Sequence, residues 1–198
     1  PGPPSELDME PRDSGMEVLQ WQGTHLVVPT AEGLCVVHIR RAHMRVLYER
    51  YLTQDMSATA SQTLLVPEEI TLSQAEVTAL VEVESDLKRM GLDLRQVDAE
   101  TVAIHALPSD LATHLREAID GILESYHDGQ WEGEEDRRVL WAKQWAKRTA
   151  MSGQATLPLE ARRNLVQALW ACDMPSVDPM GRVTQAMWSG SDIQNLFS

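Results

Sequence analysis

Two apolar runs joined by a short turn constrain the fold of this chain more than any other feature of its sequence. Residues 24–29 read THLVVP and residues 34–39 read LCVVHI, with Ala31, Glu32 and Gly33 supplying the turn. Unbroken apolar runs of this length are typical of strands buried on both faces. The sequence therefore predicts a pair of strands with cover on each side.

An amphipathic helix is predicted directly after these strands. Apolar side chains recur in it at the spacing i, i+3, i+4, i+7 and i+8, which places them on one helical face. They are Met44, Leu47, Tyr48, Tyr51 and Leu52.

A compact α+β unit is predicted over residues 62–125. An extended segment leads to a helix that begins with a capping box of Ser73 and Glu76 and stops at Gly91. A hairpin and a second helix follow, and an acidic stretch over residues 126–135 closes the unit.

The remaining elements are two helices, a short strand and a last helical turn. The helices are expected at about residues 135–150 and 158–171, the strand at 182–188 and the turn at 191–197. Residues 1–16 are rich in proline and acids, a composition too polar to fold alone, so we predict a linker and a larger parent protein.

Charge and cysteine content limit the class of protein. Among 198 residues, 17 Lys and Arg stand against 30 Asp and Glu, a net charge of −13, which disfavours non-specific binding to nucleic acid. Cys35 and Cys172 are too few and too far apart for a disulfide framework or a zinc ribbon. No apolar run reaches the roughly 20 residues of a membrane span. We expect a soluble, cytoplasmic protein with no membrane partner.

Three stretches, in a fixed order, resemble the C-terminal dimerisation domain of the bacterial DNA mismatch-repair protein family MutL. The first is GLCVVHIRRAHMRVLYERYL, with Ala42, His43 and the run 45–49 matching the family motif. The second is QTLLVP at residues 62–67, and the third is ACDMPSVDPMGRVT with SDIQNLF. The resemblance covers residues 17–198.

The resemblance implies an α+β fold in two subdomains. Residues 17–56 and 126–198 would form the dimerisation subdomain, and residues 60–125 an external, regulatory one. It also implies a nucleoid-associated homodimer that couples the mismatch-recognition protein MutS to excision, docks a sliding clamp and contacts DNA weakly. ATP and Mg²⁺ would belong to an N-terminal ATPase region, so no cofactor is expected for these residues.

The clamp-binding prediction depends on Gln62, Leu64, Leu65 and Pro67. A polar hook followed by apolar anchors and a proline is how an extended peptide can fill a pocket on a partner. The alternative is an ordinary edge strand whose leucines face the core, because an edge strand tolerates proline.

Many members of the family carry a metal-dependent nicking endonuclease, whose motif positions are degenerate here. The substitutions leave few of the N, O and S donors that zinc or manganese requires. The motif positions hold His38, Arg40, Met44, Lys147, Asp178 and Met180. We therefore expect no catalytic residues and no metal site. The rival reading is a nuclease with substituted ligands, in which His38, Asp178, Glu49 and Cys172 form a different site.

Basic residues cluster in two segments of an otherwise acidic chain. If they meet in space they could guide DNA, although solvated helix faces with intrahelical ion pairs are the simpler explanation. The candidates are Arg40, Arg41, Arg45, Lys143, Lys147 and Arg148. Several tryptophans are candidates for a dimer contact, with core packing as the alternative: Trp141 and Trp145, four residues apart on one helix, and Trp170 and Trp188. A last alternative is an interaction scaffold outside mismatch repair.

Overall fold

A computed structural model describes residues 16–53, 61–129, 133–152 and 155–198. It divides into two compact units: unit 1 comprises residues 1–46 and 150–198, and unit 2 comprises residues 47–149. The predicted linker, apart from Met16, and most of the polar connector at 53–61 lie outside the described residues. The α+β class with two subdomains agrees with the structure.

Unit 1 is built on an antiparallel sheet, two helices and the first part of a third. Its strands are β1 (Leu19–Trp21), β2 (His25–Pro29), β3 (Gly33–His38) and β7 (Gln185–Ser189). Helix α1 (Ile39–Leu52) begins in this unit, and α6 (Leu159–Trp170) and α7 (Gly190–Asn195) lie in it. The sheet order is β1-β2-β3-β7, with every neighbouring pair antiparallel.

Unit 2 contains a second antiparallel sheet and several helices. Its strands are β4 (Ser61–Thr71), β5 (Asp93–Gln96) and β6 (Thr101–Pro108), in the order β4-β6-β5. Its helices are α2 (Gln74–Glu82), α3 (Glu84–Arg89), α4 (Leu115–Asp128) and α5 (Glu134–Thr149), with a 3₁₀ turn at Ser109–His114.

The boundaries of the units differ from those predicted for the subdomains. The structure groups residues 47–56 and 126–149 with the middle of the chain, whereas the sequence assigned them to the dimerisation part. Helix α5 packs through Trp141 and Trp145 inside unit 2, which explains the difference. The roles assigned to the two subdomains stay predictions.

The strands β2 and β3 are not buried on both faces as predicted. Leu26, Val28, Cys35 and Val37 are buried against α6, where Leu165, Val166 and Leu169 complete the core of unit 1. Their alternate neighbours on the other face are half-buried, and Pro29 at the end of β2 is exposed. The unbroken apolar run therefore reflects a sheet with one face covered and a second apolar face that unit 1 itself leaves accessible.

The predicted capping box is confirmed, but the helix behind it is broken. The Ser73 hydroxyl accepts a hydrogen bond from the Glu76 backbone N–H, and the Glu76 carboxylate accepts one from the Ser73 backbone N–H. Helix α2 ends at Glu82 because buried Val83, with φ −105° and ψ 9°, leaves the helical conformation. The short helix α3 then continues toward Gly91.

The paired tryptophans of α5 belong to the core of unit 2 and not to an exposed contact surface. Trp141 is fully buried and its indole N–H donates to the Ser125 hydroxyl at 2.9 Å. Trp145 is fully buried edge-to-face against Tyr51, with 5.5 Å between ring centroids. The prediction that these two rings form a dimer contact is therefore wrong.

Candidate functional site

The face of the unit 1 sheet opposite α6 is a continuous apolar surface. Directly paired residues on neighbouring antiparallel strands point to the same side, so the register defines this surface as three rows across the strands. We call it the outer face. Its rows are Trp21, His25 and His38; Leu19, Val27, Val36 and Ala186; and Pro29, Leu34 and Trp188.

The outer face exposes large apolar side chains at positions where a solvated sheet usually carries polar ones. Leu19, Trp21 and Trp188 are 60%, 54% and 52% exposed. Val27 and Val36 at the centre of the face are half-buried among them. A contiguous apolar patch on a folded unit marks a binding surface, because its exposure to water is unfavourable.

One row of the outer face places two histidine rings in contact. His25 and His38 are direct cross-strand partners, with ring centroids 5.0 Å apart in an edge-to-face arrangement. Trp21 packs on the other side of His25 at 5.8 Å. His25 Nδ1 is 2.9 Å from the Thr24 hydroxyl, whereas the buried Nδ1 of His38 has no hydrogen-bond partner among the described residues.

The electrostatic surroundings keep His38 neutral. Burial lowers the pKa of His38 below the usual histidine value, and the charges of Arg41 and Arg182 and the neighbouring His25 lower it further. The imidazole is therefore an uncharged side chain at neutral pH, which suits an apolar surface.

A second exposed apolar feature interrupts strand β4 in unit 2. Thr63 pairs with Ala106 and Glu68 pairs with Ile104, so residues 64–67 lie opposite a single residue of β6. This β-bulge pushes the segment out of the ladder. Leu65 is fully exposed and Val66 is 79% exposed. We call residues 64–67 the bulge.

The bulge coincides with the predicted clamp-binding segment. Gln62 and Pro67 are exposed on either side, and Leu64 is half-buried. The alternative of an ordinary edge strand with both leucines in the core is wrong for Leu65, because the extra residues on β4 rotate its side chain outward.

The residues at the degenerate endonuclease positions near the end of β3 form hydrogen bonds to backbone carbonyls. The His38 backbone N–H donates to the Thr184 carbonyl at 2.8 Å. Arg40 donates from its guanidinium to the Ala150 carbonyl at 2.8 Å. Neither residue is arranged as part of a ligand cluster.

Asp178 and Met180 lie in a tight loop between α6 and β7. The buried Asp178 carboxylate accepts hydrogen bonds from the Met180 and Arg182 backbone N–H groups, at 2.8 and 2.9 Å. It also pairs with the Arg182 guanidinium at 2.7 Å, which in turn approaches the sulfur of buried Met44 at 3.9 Å. Asp178 therefore fixes the loop, and its oxygens are committed to donors within it.

These side chains do not fit the metal centre of the nicking members of the family. Lys147 lies on α5 in unit 2, and a lysine ammonium cannot ligate a cation. Across the described ranges of the chain, no three His, Cys, Asp or Glu side chains come close enough to hold a metal ion. Cys172, part of the rival ligand set, instead directs its thiol to the Ala168 carbonyl at 3.3 Å.

The arginines proposed to face DNA in unit 1 mostly bind backbone carbonyls. Arg45 is only 5% exposed and donates to the Val177 carbonyl at 2.6 Å, so it cannot reach a phosphate. Arg41 donates to the Val183 carbonyl at 2.9 Å. In unit 2, Lys147 and Arg148 are exposed and Lys143 is half-buried on α5, so their role toward DNA stays a prediction.

Sequence reasoning missed Leu19 and Trp21 as members of a functional surface. Leu19 and Trp21 precede the first apolar run by a few residues, whereas Trp188, one of the tryptophans predicted as candidates for a dimer contact, does lie on the outer face. One signal for this surface was present in the sequence. In β2 and β3 the residues that point to either face are apolar, whereas a strand with one solvated face usually alternates apolar and polar residues.

Comparisons with known proteins agree with this architecture. Residues 18–157 match the family described as the MutL C-terminal dimerisation domain. The DNA mismatch repair protein MutL of Chloroherpeton thalassium is 31% identical over 194 residues, covering 96% of this chain and 30% of the relative. That of Chlorobium phaeobacteroides is 32% identical over 177 residues, covering 88% and 28%. That of Bacteroides fragilis is 29% identical over 189 residues, covering 93% and 30%. The chain thus spans about a third of the length of these relatives.

Proposed function

Because this chain belongs to the family of MutL C-terminal dimerisation domains, we propose that it dimerises through the outer face and links mismatch recognition to strand excision. The observation that carries the dimer is the set of apolar rows on β1, β2, β3 and β7. Burying such rows against a second copy removes apolar surface from water, which is the main driving force of association.

The outer face also has the composition of an interface centre. Trp21 and Trp188 offer large, rigid rings, the side-chain type that most often dominates binding energy. Among its rows, no Lys, Arg, Asp or Glu side chain interrupts the apolar area. A copy of the same surface is its simplest complement, because a two-fold dimer brings identical patches together.

A charge at the centre of the outer face tests the dimer. We expect Val36→Glu to weaken self-association at least about a hundredfold, since an unpaired carboxylate would be buried between copies. Sedimentation equilibrium over nanomolar to micromolar concentration measures this effect. The control Thr113→Glu adds the same charge at an exposed position of unit 2. Equal dimer affinity for Val36→Glu and the unmodified chain would refute this surface as the interface.

The bulge supports the second part of the proposal, docking to a sliding clamp. Leu65 and Val66 project from a strand edge, between Gln62 and Pro67, as a short apolar hook that a pocket can enclose. Because the β4–β6 pairing on both sides fixes the bulge, little conformational entropy is lost when it binds.

Clamp docking is tested by shortening the two exposed apolar side chains of the bulge. We expect Leu65→Ala with Val66→Ala to weaken binding to a bacterial sliding clamp at least about tenfold in surface plasmon resonance. Val97→Ala is the matched control, because Val97 is an exposed apolar residue in the β5–β6 turn of the same unit. If both variants bind like the unmodified chain, the bulge is not the docking element.

Within this proposal the chain acts without cutting DNA. Its loop carboxylate is committed to Arg182, and its motif positions carry Arg40, Met44 and Lys147, which supply neither the charge nor the donors of the family's nuclease. We expect no nicking of supercoiled plasmid in manganese above background. Nicking that disappears in His38→Ala would favour the rival reading of a substituted metal site.

The remaining partners follow from the family alone. MutS, weak contact with DNA, and ATP and Mg²⁺ bound by an N-terminal ATPase region stay proposals. In the residues that the structure describes, no helix has the length and apolar character to pass through a membrane.

A further inference from the structure

Strand β1 contributes two large, exposed side chains to the outer face, Leu19 and Trp21, but has little pairing of its own. It is three residues long and lies at the edge of the sheet, and among the described residues it pairs with β2 alone. A strand this short supplies few ladder hydrogen bonds to offset the entropy lost when its residues are fixed. The position of Leu19 and Trp21 therefore depends on what else holds the chain around β1.

Side chains of α6 hold the backbone that leads into β1 from the covered side of the sheet. The Arg162 guanidinium donates to the Val18 carbonyl at 2.9 Å and to the Leu157 carbonyl at 2.8 Å. Arg163 donates to the Met16 carbonyl at 2.8 Å. Hydrogen bonds from an ionised donor are stronger than neutral ones, and a guanidinium presents several donors in one plane. Arg162 therefore joins the segment before β1 firmly to the segment before α6.

A side chain of β1 itself completes this attachment. Gln20 pairs directly with a buried leucine of β2, so its side chain points to the covered side of the sheet, away from the outer face. Its amide donates to the Ala155 carbonyl at 2.8 Å and accepts from the Leu157 N–H at 2.8 Å. Both neighbours of Leu19 in the chain, Val18 and Gln20, are thus bonded to α6 or to the segment that precedes it.

The contacts of Arg162 hold β1 more directly than those of Arg163. Val18, whose carbonyl Arg162 binds, immediately precedes β1, and its side chain is buried in the core of unit 1. Arg163 binds further from the strand, at Met16, and shares its guanidinium with the Glu160 carboxylate at 2.8 Å. Loss of Arg162 should therefore release β1 more than loss of Arg163.

We propose that Arg162 is a positioning residue for self-association. It fixes β1 from the side opposite the outer face, so that Leu19 and Trp21 are already in place when a second copy binds. This inference rests on the proposed dimerisation through the outer face. A surface that is ordered before binding loses less conformational entropy in the complex, so Arg162 raises the affinity from the covered side of the sheet.

The first test compares Arg162→Met with the unmodified chain. Methionine keeps an unbranched apolar side chain but donates no hydrogen bond. The dissociation constant of the dimer should therefore rise about tenfold or more, as for the loss of one hydrogen bond to a charged group. Sedimentation equilibrium measures this constant, and amide hydrogen exchange across Leu19–Trp21 should become faster in the variant. An unchanged dissociation constant would overturn the proposal.

Arg116→Met is the matched control. Arg116 lies on α4 in unit 2, where its exposed side chain pairs with Asp120 on the same helix. This variant also replaces one arginine by methionine, and it should change neither the dissociation constant nor the exchange across β1. An equal rise in both variants would assign the effect to the loss of positive charge and would overturn the role of Arg162.

A double-mutant cycle separates positioning from a general loss of stability. Because Arg162 acts through Leu19 and Trp21, Arg162→Met should change the affinity by no more than about twofold in a chain that already carries Leu19→Ala and Trp21→Ala. A variant that only destabilises unit 1 would lose the same factor in both backgrounds, and that result would overturn the proposal.

Gln20→Ala decides the question if Arg162→Met does not fold. It removes the hydrogen bonds to Ala155 and Leu157 and leaves the side chains of the outer face unchanged, so it should also weaken the dimer and speed exchange across β1. An unchanged dimer would show that fixing β1 from the covered side does not control self-association, which overturns the role of Arg162 as well.

The same measurements distinguish this inference from the proposed function on which it rests. A chain that stays monomeric at micromolar concentration contradicts dimerisation through the outer face and, with it, this inference. A dimer that Val36→Glu weakens and Arg162→Met does not retains the proposed function and contradicts only the role of Arg162.

Discussion

The outer face of unit 1 and the bulge of unit 2 both expose apolar side chains, but they are built in different ways. The outer face is the regular pleat of four strands, whose other side forms the core against α6. The bulge is a local departure from pairing, in which residues 64–67 face one residue of β6. Strand register creates the first surface, and a break in register creates the second.

The two surfaces therefore depend on the rest of the fold to different degrees. A side chain of the outer face is positioned by the residues before and after it, which are buried on the opposite side of the same strand. The bulge contributes no buried side chain at Leu65 or Val66. Changes in the core of unit 1 should therefore disturb the outer face strongly, whereas changes at the bulge should leave folding intact.

The largest expected effect comes from Leu169→Ala in α6. Leu169 is fully buried beneath β2 and β3, so truncation leaves a cavity and should lower the free energy of unfolding of unit 1 by about 2–5 kcal/mol. Urea denaturation followed by circular dichroism measures it. Leu19→Ala, on the exposed side of the sheet, is the control and should change stability by less than about 0.5 kcal/mol at a concentration where the chain is monomeric. Equal losses for the two variants would show that both faces are structural.

A smaller effect is expected from the loop that precedes β7. Asp178→Ala leaves the N–H groups of Met180 and Arg182 without their acceptor and should cost about 1.5–3 kcal/mol, the usual range for hydrogen bonds to a charged group. Faster amide hydrogen exchange at both residues would locate the change. Asp178→Asn, which keeps an acceptor oxygen, should lose less. If exchange in the loop is unaffected, the Asp178 contacts do not hold the edge of the outer face.

The sequence predicted the elements of both surfaces better than the surfaces themselves. The strands β2 and β3, the hairpin of β5 and β6 and the helices α5 and α6 lie close to their predicted positions, because period and capping signals are local. Val36 was expected to be covered within the chain. Its apolar character is the same whether another layer or another copy covers it, so the pattern alone cannot distinguish the two.

The bulge and the loop carboxylate depend on partners that are distant in sequence. The QTLLVP pattern predicts an extended segment, but the exposure of Leu65 depends on which residue of β6 pairs with Thr63 and which pairs with Glu68. Asp178 matched a metal-ligand position, and only the fold shows that Arg182 occupies its oxygens. Trp141 and Trp145 are an example of the opposite error. Their large rings suggested an interface, but both side chains are buried in the core of unit 2.

The smallest expected effect on stability concerns the N-terminal cap of α2 in unit 2. Ser73 caps α2 two residues beyond the end of β4, and Ser73→Ala should cost about 0.5–2 kcal/mol. Hydrogen bonds from Ser73 lower the pKa of Glu76, so the stabilisation from this cap is present above the ordinary carboxyl pKa and is lost as the pH falls through the lowered value. The difference between variant and unmodified chain in urea midpoint should therefore be larger at pH 7 than at pH 3.5.

Ser73→Ala also tests whether the conformation of the bulge depends on the stability of unit 2. Leu72, one residue after the end of β4, donates its N–H to the Glu100 carbonyl at 2.8 Å, and Ser73→Ala leaves this hydrogen bond in place. The residues from Glu68 to Thr71 also keep their pairing with β6. Affinity for the sliding clamp should therefore stay within about twofold while stability falls. A proportional loss of both would mean that the bulge, like the outer face, is shaped by the whole unit beneath it.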